Sequence, residues 1–165
     1  MPATYDKIAS TNGTGSSSSI TISSIPSTYT DLILIVNGAT TSSTGNPCLR
    51  FNGDTGTNYS RTNLGGNGSV AFTDRETTAN RILLIGGVYF SSTLNTNLIV
   101  QIQNYSNTTT FKTTLCRANK ASDGVDVNVG LWRNTDAINS LTFFTASGFN
   151  ISSDSTFTLY GIKAA

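Results

Sequence analysis

Histidine is absent from this chain of 165 residues, so the commonest general base is missing and neither a Ser-His-Asp nor a Cys-His arrangement can be built from it. What remains for acid–base chemistry is carboxylates, among them Asp31, Asp54, Asp74, Glu76, Asp123, Asp126, Asp136 and Asp154. Two of them could in principle flank a glycosidic bond as acid and base. Most lie in turn-forming contexts such as Asn52-Gly53-Asp54 and Ser122-Asp123-Gly124, where Asp is favoured simply for its local hydrogen bonding. Asp54-Thr55-Gly56 matches the triplet of aspartic proteases, but those enzymes place it after an apolar strand, whereas here a turn former precedes it. Asp123, Asp126 and Asn128 offer oxygen atoms to calcium without the regular loop and terminal Glu of a known motif. Gly65-Gly66-Asn67-Gly68 has no Lys-Ser/Thr after it and is no phosphate loop. With no His and no CxxC, a structural zinc site is ruled out, and Cys48 and Cys116, each in an apolar-alternating segment, read as buried free thiols, with a disulfide between neighbouring strands as the alternative that spacing leaves open. The residues therefore predict a protein that is no enzyme and takes no cofactor or metal.

The elements that would position any site are strands. Ser, Thr and Asn make up roughly two-fifths of the chain, and Glu and Met each occur once. Ser, Thr and Asn compete with a helix for its backbone hydrogen bonds, while Thr, Val, Ile and aromatic side chains fit a pleated surface. About ten strand-like segments recur between clusters of Gly, Asn, Asp and Ser. Leu32 to Val36 is a continuous apolar run and reads as a strand covered on both faces near the middle of a sheet. Asn97 to Tyr105 alternates, with Leu98, Val100 and Ile102 on one face and Ile99, Gln101 and Gln103 on the other. Arg81 to Val88 and Val125 to Trp132 are expected as further strands. Together these predict an all-β fold, an antiparallel β-sandwich of jelly-roll or Greek-key type, with a closed barrel as the alternative. The organisation expected is an N-terminal strand and Gly/Ser-rich hinge over residues 1–19, followed by the sandwich over 20–165.

A net charge of +1, with ten Lys and Arg scattered singly, gives no field that would hold a nucleic acid. No apolar run is long enough to span a bilayer and the N-terminus lacks the pattern of a secretory signal, so no membrane association or export is expected. Most aromatic residues fall in alternating strands and read as core. Tyr29, Tyr59 and Tyr105, flanked by Ser, Thr and Asn, are instead candidates for half-exposed partner contacts, because Tyr gives large contact area at low entropic cost. Tyr5 and Ile8 join them, since the N-terminal strand could pair with a neighbouring subunit or a lattice by β-augmentation.

Several segments together resemble a family of small β-rich virion proteins encoded by tailed phages, including those that infect cyanobacteria. They are Tyr5-Asp6-Lys7-Ile8-Ala9-Ser10, Ile25 to Leu32, Leu49 to Asp54 with Asn58-Tyr59-Ser60, Asn104-Tyr105, and Ser155 to Lys163. The resemblance implies a particle component assembled in the host cytoplasm. Within that class, the lack of a heptad or repetitive shaft favours a capsid cement or decoration protein bound to the major capsid protein or other virion proteins. The family analogy and the symmetry of capsid sites favour a homotrimer. The alternative is a tail-associated receptor-binding module that recognises a host glycan or protein.

Overall fold

The computed structural model describes residues 4–163, which form strands and loops and no helix. The strands are β1 (Tyr5–Asn12), β2 (Ser19–Ile22), β3 (Asp31–Gly38), β4 (Pro47–Phe51), β5 (Tyr59–Gly66), β6 (Ala71–Ala79), β7 (Ile82–Leu83), β8 (Thr96–Gln103), β9 (Lys112–Lys120), β10 (Gly124–Trp132), β11 (Leu141–Thr145) and β12 (Thr156–Ile162). Eight make a large sheet in the order β1-β12-β3-β8-β9-β10-β5-β6, and four make a small one in the order β2-β11-β4-β7. Every pairing is antiparallel. The two sheets pack as the β-sandwich that composition and alternation predict.

Turn chemistry sets several of the connections. Asn52 and Gly53 both take positive φ, 52° and 67°, which Asn-Gly tolerates at low cost, and the Asp54 N–H closes the turn onto the Phe51 carbonyl at 2.9 Å. Between β5 and β6 the Asn67 side-chain oxygen accepts from the N–H groups of Ser69 (3.0 Å) and Val70 (2.8 Å).

Three expectations are corrected. The N-terminal strand is no free arm: β1 pairs along β12 of the same chain. The Gly/Ser stretch after it is pinned, with Gly13 N–H donating to the Ser155 carbonyl (2.9 Å), Gly15 N–H to that of Ile151 (2.9 Å) and Ile151 N–H to that of Ser17 (2.8 Å). A crossing segment that lies on the protein must satisfy its backbone groups, whatever its composition says about flexibility. Second, β3 is covered on both faces only in its first half: Leu32, Leu34 and Val36 are buried on one side, and on the other Ile33 is buried but Ile35 is exposed. Third, only Ile82–Leu83 of the segment 81–88 joins a sheet, and the rest runs as an extended cover.

Apolar side chains of the two sheets meet in one core. Phe143 of β11 packs edge-on against Phe157 of β12 at 4.9 Å, and Phe51 of β4 lies tilted against Trp132 of β10 at 5.5 Å, so two aromatic pairs tie the sheets together. Such pairs contribute about 0.5–1.5 kcal/mol each beyond their buried area. Cys48 and Cys116 are buried and free, and burial pushes the Cys48 thiol up to about 11 despite the nearby Arg81.

Candidate interaction face

On β10 the side chains alternate as the sequence suggests, but the faces are the reverse of what hydrophobicity alone would assign. Asp126, Asn128, Gly130 and Trp132 point inward and are buried, while Val125, Val127 and Val129 are exposed. A shift of one residue would bury the valines, so something holds the strand against that gain.

Two inward anchors do. Asp126 is 1% exposed, and its Oδ2 accepts the N–H groups of Gly86 (3.0 Å), Gly87 (2.9 Å) and Val88 (2.8 Å) while Oδ1 accepts from the Asn63 amide (3.2 Å). These bonds to a charged acceptor clip the 84–88 cover onto the large sheet; each contributes roughly 1.5–3 kcal/mol. At the other end the Trp132 indole N–H donates to Asp54 Oδ2 (2.7 Å), which also accepts from Asn58 (2.9 Å), while Gly56 N–H donates to Oδ1 (2.8 Å). Partial burial would raise the Asp54 carboxyl, but hydrogen bonds from Asn58, Trp132 and Gly56 outweigh it and hold its pKa below the ordinary carboxylate value. The aspartate of Asp54-Thr55-Gly56 is thus a turn and core anchor.

Neighbouring strands follow the same inversion. Arg61 of β5, 5% exposed, reaches Glu76 at 3.1 Å and pairs with Asp74. Lys112 of β9 is buried and donates to the carbonyls of Thr110 (2.7 Å) and Thr135 (3.0 Å); burial lowers its pKa, partly offset by Asp136. The Trp132 end of this half packs on the small sheet through Phe51 and Ile82, whereas around Asp126 the 84–88 segment lies over it, and there backbone N–H groups and charged pairs are set into the hydrocarbon core.

The consequence lies on the outer side. In register across the sheet run Ile35, Ile99, Arg117, Val127 and Leu64, and next to them Ile33, Gln101, Leu115, Val129 and Thr62. Leu64 is 63% exposed, Val129 53% and Val127 44%, and a shallow depression lies among Ile99, Gln101, Leu115, Arg117 and Val127. The two rows make an exposed, largely apolar surface interrupted by Arg117, Gln101 and Thr62. No protein-family model matches the chain, and no curated protein matches its sequence. The face must therefore be read from its own chemistry.

That face is not the set of tyrosines expected from the sequence. Tyr59 and Tyr105 are fully buried, which corrects their reading as half-exposed contacts. Each buries its ring and spends its hydroxyl on the main chain: Tyr59 on Phe51 and Asp54, Tyr105 on Pro26 and Tyr29. Tyr29 is half-buried, lies against Gly161, and has the Lys163 ammonium 5.8 Å from its ring centre. Ile8 is half-buried at a bulge in β1 and packs on the core. Tyr5 is 56% exposed and stacks edge-on against Tyr160 at 6.5 Å. Tyr59 and Tyr105 thus lie in the core, Tyr105 against the Tyr29 backbone, while Tyr5 and Ile8 sit on the edge strand β1.

The candidate calcium oxygens are also separated in use. Asp123 pairs with Lys120 at 2.8 Å, which holds its pKa below the usual value, whereas Asp126 serves the backbone clip. Among the described residues no three His, Cys, Asp or Glu side chains gather as a metal site, and no helix is long and apolar enough to cross a membrane. What sequence reasoning missed is the Val125, Val127, Val129, Leu115 and Leu64 surface. The signal was present in β10, where Trp132 shares its side of the strand with Asp126 and Asn128, so that one large core residue and three valines compete for the same interior.

Proposed function

We propose that this protein is a virion structural protein of a tailed phage, a capsid cement or decoration protein that adheres to the assembled head shell through the outer face of its large sheet. The observation that carries the reading is the inverted strand β10, which leaves three valines in water while a carboxylate and an amide are buried. Exposed β-branched rows are unfavourable in solution and rewarding once covered, which suits a chain that folds first and docks afterwards.

Strand order supports the finer jelly-roll reading. In a jelly roll of eight strands the first, eighth, third and sixth pair in one sheet and the second, seventh, fourth and fifth in the other. Taking β2 as first gives β2-β11-β4-β7 and β3-(β8-β9-β10)-β5-β6, with the seventh position widened into a three-stranded meander and β12 and β1 added beside β3. Capsid proteins are among the users of that topology. The segments that resemble phage virion proteins hold buried and turn residues such as Tyr59, Tyr105, Asn52 and Asp54 and none of the exposed valines. The resemblance therefore speaks to the fold and the outer face to the partner.

Adding purified protein to heads prepared without it, followed by cryo-electron microscopy, tests the proposal. The expected result is saturable binding at symmetry-related positions with the large sheet against the shell, and a trimer if the family analogy holds. Absence from heads together with binding of the isolated protein to host cells or surface glycans would replace this reading with the tail-associated one.

A further inference from the structure

We propose that the surface docking on the outer face belongs to a different polypeptide and presents a carboxylate to Arg117 from within an apolar surround. This inference rests on the adhesive reading of the face given above. Arg117 stands among apolar neighbours, opposite Ile99 on one side and Val127 on the other. Among the described residues no carboxylate pairs with it. Strand alternation puts Asp74, Glu76 and Asp126 on the opposite side of the sheet, where Arg61 and the 86–88 backbone engage them. Asp31 shares the outer side but lies at the end of β3 and accepts the Asn104 N–H at 2.6 Å.

Covering this face with hydrocarbon alone would strip water from a guanidinium and return nothing, which is strongly unfavourable. A carboxylate matches the planar donor fork and repays the loss of hydration. A second copy meeting the same face about a two-fold axis at Arg117 would bring guanidinium toward guanidinium, and the acid it carries on that side, Asp31, sits at a strand end and is already engaged by the Asn104 N–H, so charge complementarity favours a different chain. A nucleic acid fits worse. The next cation on this side, Arg75, lies three strands away, roughly 14 Å, with Val129 and Thr62 between the rows, and phosphate binding needs a denser track of charge.

The test uses heads prepared without the protein and purified variants altered at exposed positions, each checked for an unchanged melting temperature. Val127→Asp should abolish binding, and Arg117→Gln should weaken it at least tenfold. On heads loaded with the Arg117→Lys chain, zero-length carbodiimide coupling should give an isopeptide bond between position 117 and an Asp or Glu of another virion polypeptide. Unchanged binding of Val127→Asp would overturn the adhesive reading itself. Loss of binding with Val127→Asp, but full binding of Arg117→Gln and no coupling at position 117, would overturn the carboxylate proposal alone. Coupling to another copy of this chain would overturn it as well.

Discussion

β8 and β10 lie two strands apart in one sheet and partition their side chains in opposite ways. β8 buries Leu98, Val100 and Ile102 in the hydrocarbon core and turns Gln101 and Gln103 to solvent. β10 buries Asp126 and Asn128 and turns Val125, Val127 and Val129 outward. The difference follows from what covers each strand. A hydrocarbon surface asks for hydrocarbon, whereas the glycine-containing segment over Asp126 offers N–H groups and asks for an acceptor. An alternating strand can satisfy either demand, and the cover decides which set of side chains goes in.

The largest effect should come from removing that acceptor. Asp126→Ala leaves three inward N–H groups and the Asn63 amide without their partner. We expect a loss of about 3–5 kcal/mol in urea unfolding, with faster hydrogen exchange at Gly86 to Val88 than elsewhere. Equal protection of that segment in the variant would break the comparison.

The next effect separates the two faces. Leu98→Ala should cost about 2–4 kcal/mol because it opens a cavity in the core, whereas Val127→Ser on the outer face should change stability by no more than about 0.5 kcal/mol. Differential scanning calorimetry of the two variants checks this; a large loss from Val127→Ser would mean that the outer face is part of the folded core and no docking surface.

A smaller effect concerns the far anchor of β10. Because the folded state lowers the Asp54 pKa, the stability it contributes is present above the ordinary carboxylate value and is lost as pH falls through the lower, folded-state value. Trp132→Phe removes one of the hydrogen bonds responsible and should cost about 1–2 kcal/mol at pH 7. Urea melts at neutral and acidic pH should show the gap between wild type and Trp132→Phe narrowing as Asp54 protonates; a gap independent of pH would show that the indole acts by packing alone.

The smallest effect belongs to the sheet edge. Lys163 pairs with Asp6 across β12 and β1, and this contact raises the Lys163 pKa. Lys163→Met should lower the melting temperature slightly at low salt and not at all in 1 M salt, since exposed pairs are screened.

From its own residues the chain determined that it would be all strand, where many turns fall, and which side chains share a face of β8, because these follow from local hydrogen-bonding competition and the two-residue period. It also determined that Asp54 would be a turn residue. Which side of β10 faces inward was a tertiary decision. The period of a strand defines two sets of side chains but not their direction, and only the arrival of the 84–88 cover, with its N–H groups aimed at Asp126, fixed it. The same holds for Tyr59 and Tyr105: polar neighbours in sequence made them look like surface residues, whereas the folded chain supplies backbone partners for their hydroxyls and so makes them core.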